Sequence, residues 1–163
     1  MAKQKKQANW LYFTKVRDVN DPVRAHWNDA GIDFFVPNDF EQYRLKPGKE
    51  IKIPSGIKMN LPTNHVLIGF NKSSIPPKKG LIIGSQVIDE SYMGEIQIHL
   101  MNVTNKATYI YPGEKIVQYI LLPVAYDMPE MVESEETLFK NKDSERKEGG
   151  FGSTNKDTEE SQE

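Results

Sequence analysis

The chain contains no cysteine, which excludes disulfide staples and thiolate metal sites. Its histidines, His26, His65 and His99, are scattered without the i, i+4 spacing of a metal-binding helix. Structural zinc is therefore not expected, and any metal should be a hard ion held by oxygens. Neither sign of charge dominates: 21 basic and 23 acidic residues leave a net charge of −2. That is too little for a global field that gathers nucleic acid or anionic lipid, so stable nucleic-acid binding is not expected. No stretch approaches the roughly 20 apolar residues that span a bilayer. The start, Met1-Ala2-Lys3-Gln4-Lys5-Lys6, leads into no apolar signal core. The expectation is a soluble, cytoplasmic protein without a membrane segment.

What is present suffices for one domain: 163 residues, 37% of them hydrophobic, with seven Tyr and seven Phe. Helical periodicity is scarce, whereas short runs rich in β-branched and aromatic residues recur between Pro, Gly and Asn clusters. Strands are predicted over 10–16, 32–36, 50–58, 65–71, 81–88, 95–103, 107–110 and 115–126, an all-β jelly roll or barrel of short strands. Alternation in Glu95-Ile96-Gln97-Ile98-His99-Leu100 places Ile96, Ile98 and Leu100 on one face. The run from Ile120 to Tyr126 is apolar on both faces and interrupted by Pro123, which suits an edge strand docked on another subunit.

The ends differ in kind. Residues 1–8 form a basic tail expected to be disordered, 9–127 the β domain, and 128–145 a polar, acidic linker. A Gly-rich arm follows over 146–154, expected to be mobile, and then a disordered acidic tail over 155–163.

Three places combine small and polar residues at strand ends: Asp33 after Ala30-Gly31, the Lys72-Ser73-Ser74 turn, and Val87 to Glu95. In the last, Asp89, Tyr92 and Gly94 lie close together. They read either as a general base beside a flat ring or as an Asx-type turn cap with a core tyrosine. Gly149-Gly150-Phe151-Gly152-Ser153-Thr154 has the composition of a phosphate cradle, and Arg146 just upstream is a fork-shaped anion ligand. Phe151 among glycines has no core of its own to join, and stacking on a planar base would give it a partner.

Taken in order, these segments resemble the five signature motifs of the trimeric dUTPase family. Ala30-Gly31-Ile32-Asp33-Phe34 resembles the first, which implies that Asp33 assists catalysis from outside the metal's ligand shell, through water. Asn71-Lys72-Ser73-Ser74 resembles the second, which implies substrate binding by Lys72, Ser73 and Ser74, with Ser73 at the phosphates around the scissile linkage; Lys72 stands where the family usually has Arg and Ser74 where it commonly has Gly. Lys72 keeps the charge but not the planar fork. Gly84 to Glu95 resembles the uracil-binding hairpin. Gln86, Val87 and Ile88 are thereby implied at the base, Tyr92 against the deoxyribose, and Asp89 at the attacking water. Pro112 to Gln118 resembles the fourth motif, and only Gln118 carries functional weight there, near the phosphates. Arg146 to Thr154 resembles the fifth, with Lys147 where Gly is usual. It implies phosphate contacts from Arg146, Gly152, Ser153 and Thr154, and Phe151 over the uracil.

The resemblance implies a Mg2+-dependent hydrolysis of dUTP to dUMP and pyrophosphate by in-line water attack at the α-phosphorus. That reaction would limit uracil incorporation into DNA and supply dUMP for dTMP synthesis. It also implies a homotrimer whose active sites are shared between subunits. Two alternatives stand beside it. A dCTP deaminase shares the fold and trimeric plan, and a regulatory protein could have kept the scaffold with nucleotide as its switch.

Overall fold

The computed structural model describes residues 10–144. The basic tail and the candidate residues Arg146, Phe151, Gly152, Ser153 and Thr154 lie outside the described residues. Among those described, the strands in order are β1 (Tyr12–Lys15), β2 (Ile32–Phe35), β3 (Tyr43–Leu45), β4 (Glu50–Pro54), β5 (Ile57–Asn60) and β6 (His65–Asn71). A short helix α1 (Ile75–Lys79) precedes β7 (Leu81–Ile83), β8 (Val87–Ile88), β9 (Gln97–Asn102), β10 (Thr108–Ile110) and β11 (Lys115–Pro123), and α2 (Glu135–Leu138) follows. Two units are delimited, Met1–Tyr126 and Asp127–Glu163. In the second, the Ser134 side chain caps α2 by accepting the N–H of Thr137 at 3.2 Å.

All ladders are antiparallel. They form a four-stranded sheet in the order β2-β11-β6-β8, a three-stranded sheet β4-β9-β7, and the pairs β1-β5 and β10-β3. The fold is all-β, built of separate sheets with no single closed barrel among the described strands. Period-two alternation explains the core: Ile96, Ile98 and Leu100 are all buried, against Phe34, Leu67, Ile116, Val117 and Tyr119. The Phe34 and Tyr119 rings meet at 4.6 Å between centroids.

Two predicted strands break where the backbone demands it. The 50–58 run becomes β4 and β5 because Gly56 takes φ 77°, a conformation that favours glycine. The 81–88 run becomes β7 and β8, separated by Gly84-Ser85-Gln86. The edge expectation for 120–126 holds on one side. β2 pairs with β11 only as far as Ile32 opposite Tyr119, while β6 continues to His65 opposite Pro123. No helix among the described residues is long and apolar enough to cross a membrane.

Candidate active site

Asp33 sits in β2, an outer strand of the four-stranded sheet, opposite Gln118 of β11, and is 5% exposed. A carboxylate so far from water needs cationic partners. It has two. The Lys72 ammonium reaches both oxygens, at 3.0 and 3.2 Å, and the Lys115 ammonium lies 3.3 Å from Oδ2. Asp33, Lys72 and Gln118 line one depression together with Gly31 and Asp29. Three segments distant in sequence, around residues 31, 72 and 118, therefore converge on one charged surface.

Local structure fixes each group. Gln118 Nε2 donates to the Asn71 carbonyl at 3.0 Å, and Asn71 Oδ1 accepts the N–H of Ile83 at 2.8 Å, so β11, β6 and β7 are tied at this point. A Cβ on Gly31 would stand 2.3 Å from Gln118 Oε1, so glycine is what lets the amide lie there. Arg24 donates to the carbonyls of Asp29 and Ala30, and Asp29 accepts the N–H of His26 at 2.9 Å, which holds the loop entering β2. The turn Lys72-Ser73-Ser74 is set by α1. Ser74 is its N-cap, Pro stands in its first turn, and the Ile75 N–H closes on the Lys72 carbonyl at 2.9 Å. Ser73 is exposed and Ser74 half-buried.

The second candidate region lies at the opposite edge of this sheet. β8 pairs with β6, Val87 opposite Ile68 and Ile88 opposite Leu67, and the Gln86 carbonyl accepts the Gly69 N–H at 2.8 Å. Ile88 packs on the core while Val87 is exposed. The chain then turns through Asp89, whose backbone carbonyl accepts the Tyr92 N–H at 3.0 Å. Asp89 itself is exposed and Tyr92 is 42% exposed, so the tyrosine is not a core residue and a backbone bond closes the turn. Glu90 anchors the tip, accepting the Asn64 N–H at 2.7 Å and the Tyr126 hydroxyl at 2.8 Å. That bond to Glu90 holds the Tyr126 hydroxyl above its ordinary pKa.

His99 holds the start of the hairpin. Its Nδ1 accepts the Ser85 N–H at 3.0 Å, which leaves Nε2 as the protonated nitrogen facing Glu50 at 3.3 Å. The ring also fills the space where a side chain on Gly84 would be, with a Cβ there falling 2.3 Å from Nδ1. The sequence assigned no role to His99, to Lys115 or to Arg24. All three place a group named as a candidate, and none lies at a recognisable ligand spacing.

The two regions open separately on one chain. The groove beside Glu90 and Tyr92 is walled by Tyr12, Phe13, Met59 and Met93, and it shares no residue with the depression around Asp33. Among the described residues no three His, Cys, Asp or Glu side chains gather as a metal cage. Asp33, one carboxylate already held by two ammonium groups, offers no ligand set of its own for a metal, so a Mg2+ fits here only where other ligands hold it.

A family model described as dUTPase matches residues 17–155. The deoxyuridine 5'-triphosphate nucleotidohydrolase of Clostridium kluyveri is 35% identical over 145 residues, covering 82% of this chain and 88% of that protein. The enzyme of the same name from Clostridioides difficile is 33% identical, covering 88% and 99%. Among solved structures, the dUTPase of Staphylococcus bacteriophage 80alpha with dUPNHPP superposes with a TM-score of 0.75 at 25% identity, covering 90% of this chain and 98% of that one.

Proposed function

The chain belongs to the dUTPase family, and from that premise we propose that it hydrolyses dUTP to dUMP and pyrophosphate with the residues just described. The observation that carries this reading is the convergence of Asp33, Lys72 and Gln118 on one depression. Lys72 and Lys115 pair with Asp33 at this depression, which Asp29 also lines, so the protein's own charges balance there and neutralisation of a triphosphate falls to the Mg2+ it would carry.

Lys72, Ser73 and Gln118 bind the phosphates around the scissile linkage, with Ser74 setting the turn that presents them. Lys72 acts as a point charge in place of a bidentate fork. Mg2+ carried by the triphosphate supplies charge neutralisation and a fixed phosphate conformation, and Asp33 orients its water shell. Asp89 orients a water in line with the α-phosphorus and accepts its proton as the bond to the bridging oxygen breaks and pyrophosphate leaves. The backbone of Gln86, Val87 and Ile88 reads the uracil edge, and a base with the wrong donors and acceptors leaves those groups unpaired. Tyr92 stands against the deoxyribose. Arg146, Gly152, Ser153 and Thr154 close on the phosphates and Phe151 covers the uracil, which excludes bulk water.

Separate openings on one chain support a site assembled from several copies, one giving the hairpin, a neighbour the Asp33 depression and a third the arm. A homotrimer is the arrangement that closes. The edge of β11 beyond Tyr119, left without a strand partner on the β2 side, is a surface available to such packing. The test is pyrophosphate release with Mg2+ from dUTP, dCTP, dTTP and UTP, repeated on dUTP with Asp89→Asn. Release from dUTP alone, lost in the variant, is expected. Equal release from all four, or ammonia release from dCTP, overturns the reading.

A further inference from the structure

An exposed tyrosine at the tip of a turn has free rotamers, yet a ring that rejects one extra hydroxyl has to be held to within about half an ångström. The structure holds Tyr92 in two ways. Its ring folds back over Gly94, where a Cβ would fall 2.3 Å from the hydroxyl oxygen and 2.4 Å from Cζ. Its hydroxyl donates to the backbone carbonyl of Glu95 at 2.9 Å. The ring is therefore placed no better than that carbonyl is.

Glu95 is anchored more firmly than its neighbours. Its side chain is 18% exposed. Oε1 accepts the Gly56 N–H and Arg17 Nε, each at 2.7 Å, and Oε2 accepts Arg17 Nη2 at 3.3 Å. The next residue is bracketed by backbone bonds of 2.9 Å, Ile96 N–H to the Ile57 carbonyl and Ser55 N–H to the Ile96 carbonyl. Gly56 fits under this assembly only without a side chain, since a Cβ would meet Val19 Cγ1 at 2.8 Å and Arg17 Cβ at 3.1 Å.

We propose that Glu95, locked by Arg17 and the Gly56 amide, is the positioning residue that sets the Tyr92 ring and with it the discrimination of deoxyribose from ribose. This rests on the reading of Tyr92 as the sugar-facing ring. Arg17 and Glu95 touch no substrate; they act through the Glu95 carbonyl and the Tyr92 hydroxyl. A strut that served stability alone would affect both nucleotides equally, whereas a positioning group changes their ratio.

The experiment compares kcat/KM for dUTP and UTP in the full chain and in Glu95→Gln, Arg17→Met, Arg17→Lys, Tyr92→Phe and Tyr92→Ala. The dUTP preference is expected to fall on the order of tenfold in Glu95→Gln and Arg17→Met, with partial retention in Arg17→Lys. It should fall in the same direction in Tyr92→Phe, which deletes only the hydroxyl. If Tyr92→Ala abolishes the preference while Glu95→Gln, Arg17→Met and Tyr92→Phe lower both nucleotides in proportion, the positioning role is overturned and the sugar reading survives. An unchanged preference in Tyr92→Ala overturns the sugar reading, and the inference with it. Should the Glu95 and Arg17 variants fail to fold, Tyr92→Phe decides alone, and an unchanged ratio counts against the proposal.

Discussion

Asp33 lies buried in one outer strand of a four-stranded sheet between two ammonium groups, whereas Asp89 stands exposed on a turn beyond a two-residue strand at the sheet's other edge. In the proposed mechanism the first works beside a metal-bound triphosphate, and two ammonium groups fix its position. The second, proposed to reach a water in another copy's depression, sits on a turn closed by its backbone carbonyl, with its side chain exposed. Rigidity in the first region comes from charge pairing across strands. In the second it comes from two anchors that follow Asp89, Glu90 on Asn64 and Tyr126, and Glu95 on Gly56 and Arg17.

The contrast breaks first at Asp89. Asp89→Asn should lower kcat about 10²- to 10⁴-fold, the range of a general base. As a substitution on an exposed turn it should leave stability within about 0.5 kcal/mol, measured by pyrophosphate release and denaturant unfolding. Asp33→Asn should cost less in turnover, about 10- to 100-fold, but about 1–3 kcal/mol of stability because two ammonium groups lose their buried partner. Co-refolding the two variants sharpens the comparison further. If hairpin and depression belong to different subunits, a mixed trimer in equal proportions regains about a quarter of the sites. Recovery of no activity would place both carboxylates in one chain.

Much of this was readable beforehand, for definite reasons. The strand carrying Ile96, Ile98 and Leu100 announces itself by alternation, and the candidate segments by small and polar residues where chains turn. β3 was missed because only Leu45 of its three residues is buried, too little pattern to see. α1 was missed because Pro76-Pro77 reads as a turn, although proline is compatible with a first helical turn. Lys115 was passed over because its contact depends on a bulge. Two strands in regular register would put it on the face opposite Gln118. The register shift between Lys115 and Val117 instead sets it across from Phe35, on the face that Phe35 shares with Asp33. Such a shift leaves no trace in residue types.

Gly31→Ala probes the depression without touching a charge. The new methyl would displace the Gln118 amide, the movable end of a flexible side chain, and break its bond to the Asn71 carbonyl. Stability should change by less than about 1 kcal/mol, while KM for dUTP rises several-fold. The corresponding change in the hairpin, Gly84→Ala, meets the His99 ring and should cost more in stability than Gly31→Ala does. The reverse order would mean that the hairpin's root is the softer of the two regions.

The smallest effect is a pH dependence at the hairpin's anchor. The hydrogen bonds from Arg17 hold the Glu95 carboxyl below the usual carboxylate range, with the Gly56 N–H adding to the shift against partial desolvation. The folded state therefore binds this proton more weakly than the unfolded state does, and stability rises with pH across the interval between the two values. The contribution is complete above the unfolded glutamate value of about 4.3 and drains away as pH falls through the folded one. The stability gap between the native chain and Glu95→Gln should then be constant from neutral pH down to about 5 and close below about 4. Urea unfolding across that range measures it. A gap that stayed constant into acid would mean that Arg17 and Gly56 hold the protonated carboxyl as well as they hold the carboxylate. Shape rather than charge would then fix the Tyr92 carbonyl anchor.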